Sequence, residues 1–105
     1  MFTKRIAEKQ IKDLIIEINK IGIKPKRAML FGSVAKENTH KFSDIDVAIW
    51  ADEFCGSPTF DYELILKSLR NFPDVELHTF NTNDTKDNHP FVEEIEKSGI
   101  DIEVE

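Results

Sequence analysis

The stretch LFGSVAKENTHKFSDIDVAIW, residues 30–50, decides how this chain is read. The apolar run RAMLF, 27–31, predicts a short buried strand ending at Gly32. A glycine there lets the backbone turn sharply and lets a phosphate come close. Ser33 supplies a hydroxyl and is expected to be the N-cap of a short helix over VAKEN, whose free N–H groups attract anions. Ten residues separate Ser33 from Asp44, enough for one or two helical turns and a polar loop over 38–43. DIDVAIW, 44–50, then alternates as a strand, with Asp44, Asp46, Ala48 and Trp50 on one face and Ile45, Val47 and Ile49 on the other. Two carboxylates in this register can grip Mg²⁺ jointly, and two-metal phosphoryl transfer places its ions roughly 3.5–4 Å apart.

Such a site calls for a third carboxylate nearby, to hold a metal and to help deprotonate an attacking hydroxyl. Glu76 is the best candidate, mid-strand in VELHTF (75–80) between Val75 and Leu77. Around this block the chain alternates helical and strand periodicity. Residues 4–22 predict a helix with Ile11, Leu14, Ile15, Ile18 and Ile21 on one face, stopped by Gly22. Residues 59–71 predict another, striped by Tyr62, Ile65, Leu66 and Leu69, capped by Ser57 or Thr59 and broken by Pro73. A helix over 90–98 opens on Pro90 and ends at Gly99. Residues 100–104 close as a strand whose acidic alternation suits a sheet edge. The order α-β-α-β-α-β-α-β gives an α/β (α+β) class, a small mixed sheet with helices packed mainly on one side. About a dozen residues join strands 27–31 and 44–50, which fits an antiparallel pair or a very tight crossover.

At 105 residues the expectation is a single domain, 1–105. A net charge of −6, from 14 Lys+Arg against 20 Asp+Glu, argues against direct binding to a nucleic-acid backbone. No apolar run approaches the ~20 residues of a membrane span, and the charged N-terminus is unlike a signal peptide. Cys55 is the sole cysteine, so no internal disulfide can form and a reducing cytoplasm is the expected compartment.

The spacing Gly32-Ser33, ten residues, Asp44-Ile45-Asp46 resembles the signature of the polymerase-β-type nucleotidyltransferase superfamily. Within it the chain is most similar to the minimal nucleotidyltransferase (MNT) proteins, which consist of the catalytic core alone. The phrases LFGSVAKE and SDIDVAI, the strand VELHTF and the close FVEEIEKSGIDIEV carry the likeness. The resemblance implies that Gly32 and Ser33 contact the triphosphate of ATP, with Lys36 keeping one positive charge beside it. It implies that Asp44 and Asp46 bind Mg²⁺, with Glu76 as third metal-binding carboxylate and base. Val34 stands where a basic residue is common, and Glu76 is a methylene longer than the usual Asp.

The family further implies a partner, because stand-alone MNT proteins pair with a helical HEPN protein as antitoxin and toxin. The expected function is therefore transfer of AMP from ATP to a hydroxyl on a partner toxin. A catalytically weak antitoxin that neutralises its partner by complex formation is the alternative, and an aminoglycoside-like transferase working at a homo-oligomer interface is a third. Plainer roles compete residue by residue: Ser33 as helix cap, Asp44 and Asp46 as solvated acids, Glu76 as an edge-strand charge, Lys36 as a solvated lysine. His78 shares the face of Glu76 and reads first as a surface histidine, otherwise as the border of the site. Trp50 and the phenylalanines at 54, 60 and 72 read as core; exposure of Phe54 or Trp50 would point to a partner surface.

Overall fold

The computed structural model describes residues 3–36 and 44–104, leaving out the side chain of Ser33. The expected polar loop 38–43, His40 and the far end of the VAKEN helix lie outside the described residues. Eight elements follow in the expected order: α1 (Lys4–Lys20), β1 (Pro25–Phe31), α2 (Gly32–Ala35), β2 (Ile45–Ala51), α3 (Pro58–Leu69), β3 (Val75–Asn81), α4 (Pro90–Ser98) and β4 (Ile100–Ile102).

α1 starts where Thr3 Oγ1 accepts the Ile6 N–H at 3.2 Å. It buries Ala7, Ile11, Leu14, Ile15 and Ile18 at helical spacing. The chain leaves it through Gly22 at φ 93°, with the Ile23 N–H returning to the Ile18 carbonyl. Ile21 thus falls past the helix end and stays half exposed, although the heptad-like spacing included it. In α3 the buried face is Asp61, Ile65 and Ser68, flanked by Tyr62 and Leu69. Leu66 is exposed, because it sits about 100° around the helix from Ile65, beyond the edge of that face. Ser57 is the N-cap residue of α3, but its side chain makes no capping bond; the loop is held instead by Asp61.

The sheet is mixed and four-stranded, in the order β3-β2-β1-β4. β1 pairs antiparallel with β2 and with β4, and β2 pairs parallel with β3 across the α3 connection. The open choice between antiparallel pair and tight crossover is settled as antiparallel. β4 is an edge strand, as its acidic alternation suggests.

Side-chain alternation divides the sheet into two packed faces. Ala28, Leu30, Ile45, Val47, Ile49 and Leu77 meet α1, α2 and α3 on the larger side. Met29, Ala48, Trp50 and Phe80 meet Val92 and Ile95 of α4 on the other. Three helices therefore share one side. Trp50 and Phe54 are both buried, so neither marks a partner surface. Trp50 stacks on Phe80 with centroids 5.1 Å apart, donates Nε1–H to the Asp84 carbonyl at 2.8 Å and carries the Arg27 guanidinium 4.6 Å above its ring. Arg27 also pairs with Glu96 of α4 at 2.7 Å, tying that helix to the sheet.

Candidate functional site

β1 ends where β2 and β3 begin, and at that end the α4 side of the sheet presents polar groups instead of core. Pairing across the strands sets Phe31 opposite Asp46 and Asp46 opposite Glu76. One step along, His78 stands opposite Ala48. Side chains on one face of adjacent strands lie close enough to interact directly. A donor atom from each of Asp46, Glu76 and His78 lies within 4.8 Å of the other two. His78 Nε2 is 3.8 Å from Asp46 Oδ1 and 3.9 Å from Glu76 Oε1.

Gly32 lets this cluster reach the turn after β1. Its φ is +75°, a conformation that side-chain-bearing residues rarely adopt. A Cβ there would stand 2.3 Å from Asp46 Oδ2, so the carboxylate occupies the space a side chain would fill. Gly32 and Ser33 open α2, whose half-in leading residue is Phe31, with φ −141°. The sequence expectation places the cap at Ser33, but the turn at Gly32 starts the helix two residues sooner, with Phe31 in the cap position. Val34 is buried against the larger core. Lys36 closes α2, its side chain exposed.

The Glu76 carboxyl is pushed above its ordinary range. Desolvation comes first, even though over half of the side chain reaches solvent. The hydrogen bond and negative charge of Asp46 follow, Asp44 adds a smaller repulsion, and His78 opposes them. Two acids held this close favour a shared proton or a bound cation over two bare charges. With an imidazole beside them and a glycine making room, the donor set suits a divalent cation. Asp44 lies one residue before β2 with an exposed side chain, outside the three-residue group. Of the three carboxylates expected to gather, the structure thus brings together Asp46 and Glu76. It adds His78, for which the only sequence signal was its position two residues from Glu76.

Beside the cluster, a cleft of about 380 Å³ runs along the free edge of β3, lined by Glu76, His78, Tyr62, His89, Phe80 and Phe91 among others. The Tyr62 hydroxyl donates to the Leu77 carbonyl, and its pKa is raised by burial and by the Glu76 charge, so it stays a protonated donor. Bonded to Gly56 and Thr79 of the cleft's lining, Asp61, almost wholly buried, accepts from the Cys55 and Gly56 N–H groups and from Thr79 Oγ1 at 2.9, 2.9 and 2.7 Å. Sequence reasoning passed over Asp61; an acid in the first turn of an amphipathic helix usually faces solvent. Among the described residues, no helix is long and apolar enough to cross a membrane.

Residues 9–103 match the family described as Polymerase beta, Nucleotidyltransferase. Among solved structures, the crystal structure of a toxin-antitoxin with AMP-PNP is similar, with a TM-score of 0.63 at 23% identity, over 90% of this chain and 70% of that one. A crystal structure of a mutant of the toxin-antitoxin MntA-HpeT aligns with a TM-score of 0.62 at 21% identity, again over 90% and 70% of the two chains. At these identities the likeness is one of fold. A search of the curated proteins gave no match.

Proposed function

This chain belongs to the polymerase-β nucleotidyltransferase family, and on that premise we propose that it transfers AMP from ATP to a hydroxyl group on a helical partner protein. The observation that carries the proposal is the pairing of Asp46 with Glu76 across β2 and β3, pressed against a glycine turn that leaves no space for a side chain. Gly32 and Ser33 receive the triphosphate at that turn, and Lys36 adds positive charge nearby. Asp46 and Glu76, with Asp44 at the strand entry, hold a divalent cation, Mg²⁺ in the expectation from sequence. When bound, that cation neutralises phosphate charge and lowers the barrier to displacement.

Glu76 takes the proton of the acceptor hydroxyl. The hydroxyl oxygen forms a bond to the α-phosphorus, the bond to the bridging oxygen breaks, and pyrophosphate leaves with that electron pair. The solved toxin-antitoxin structures of similar fold, one of them with AMP-PNP, support both the nucleotide and the partner class. The decisive test pairs Asp44→Asn with Asp46→Asn and follows label from α-labelled ATP into a helical HEPN-type protein that co-purifies with this chain. Loss of label with the fold retained is expected; undiminished labelling would reject the proposal.

A second role, neutralising the partner by covering it, is favoured by one feature. Phe60 and Leu64, a turn apart on α3, are 68% and 52% exposed. If Phe60→Ser abolishes neutralisation while the Asp44/Asp46 double variant retains it, complex formation is the operative activity.

A further inference from the structure

We infer that His78 is itself a ligand of the divalent cation, alongside Asp46 and Glu76, and that its nitrogen makes the site prefer Mn²⁺ and Co²⁺ to Mg²⁺. The inference rests on the proposal that this cluster is the cation site; it concerns which residues complete it and which ion they select.

The geometry points to a ligand. Two donors that each lie about 2.0–2.2 Å from one ion can be no more than about 4.4 Å apart. The two separations from Nε2, 3.8 and 3.9 Å, fall within that span. Both exceed the ~3.2 Å reach of a good N–H···O bond, so neither carboxylate holds the imidazole by hydrogen bonding. The nitrogen faces both acids across a gap. The ring is also held in place. Phe31 meets it edge-on with centroids 5.0 Å apart, and Phe91 does so at 5.5 Å. Opposite it on β2 stands Ala48, whose methyl leaves room for the ring to lie toward Asp46.

The ion preference follows from the donors. Mg²⁺ is hard, sheds water reluctantly and favours oxygen. Imidazole nitrogen adds affinity for first-row transition ions, increasingly from Mn²⁺ to Co²⁺. A site of carboxylates alone would also favour these ions somewhat, so the discriminating quantity is the part of the preference that depends on His78.

The test uses the whole chain with Mg²⁺, Mn²⁺ and Co²⁺ as separate probes, without nucleotide. Titration calorimetry is expected to show His78→Gln weakening Co²⁺ and Mn²⁺ about tenfold or more while leaving Mg²⁺ within about twofold. His78→Phe, which keeps the ring between Phe31 and Phe91, is expected to do the same, and equal melting temperatures show that folding is intact. Pulsed electron paramagnetic resonance of bound Mn²⁺ is expected to show ¹⁴N coupling that both variants lose. Unchanged affinities in both variants, with no nitrogen coupling in the parent, would overturn the inference. Asp46→Asn separates the two levels. If it abolishes cation binding while the His78 variants change nothing, only the ligand role of His78 fails; if it leaves all three ions bound as before, the cation site fails with it.

Discussion

At Gly32 one absent methyl group lets a carboxylate lie against the end of a strand. Gly32→Ala meets both a left-handed φ and the Asp46 side chain. The backbone term alone is worth about 1–2 kcal/mol, and Asp46 must also move. We expect a loss of about 2 kcal/mol in urea unfolding, together with cation affinity reduced at least tenfold by calorimetry. Glu76 behaves in the opposite sense. Its folded pKa is raised, so at neutral pH its charge works against the fold, and stability is gained only as pH falls through that pKa. Glu76→Gln should therefore leave the melting temperature unchanged or higher while abolishing transfer. A large fall in melting temperature would contradict this account of the residue. Asp61 is a structural acid of the ordinary kind, accepting three hydrogen bonds out of solvent. Asp61→Ala strands two backbone N–H groups and a hydroxyl, and should cost about 3 kcal/mol by chemical denaturation.

Secondary-structure elements were mostly legible, because period and punctuation are local properties. α1 is written in its isoleucine spacing and Gly22, and β2 in the strict alternation of Ile45, Val47 and Ile49. α3 was less legible. Its inward face includes Asp61 and Ser68, polar residues that a hydrophobic stripe cannot flag, so the apolar pattern points Leu66 inward where the structure leaves it exposed. The loop between β3 and α4 shows how a single side chain ties elements together. Trp50 Nε1–H bonds the Asp84 carbonyl, and its ring carries Arg27, which in turn grips Glu96. Trp50→Phe keeps most of the apolar packing but loses the donor and weakens the cation–π contact. The expected cost is about 1–2 kcal/mol, with faster amide exchange in residues 82–89 than in α1.

In the whole molecule, both apolar layers depend on the same strands, since Met29 and Leu30 of β1 point to opposite faces. Loss of either layer strips the packing from one face of the sheet. Trp50, the single tryptophan, reports the α4 layer, while far-UV dichroism is weighted toward α1 and α3. The two signals should share one denaturation midpoint; separate midpoints would show that the layers open independently.

The sequence alone determined the turn at Gly32, the strand alternation that sets Asp46 on the face opposite Ile45 and Val47, the order of elements and the family resemblance. Each follows from residues adjacent in the chain, through backbone sterics and a two-residue side-chain period. Tertiary structure decided what lay across strands. Strand order and direction depend on contacts between distant segments, so only the folded sheet could set Glu76 opposite Asp46 and turn His78 toward both. It also left Asp44 exposed at the strand entry and gave Asp61 its buried role, because burial belongs to the packed molecule and not to any segment of it.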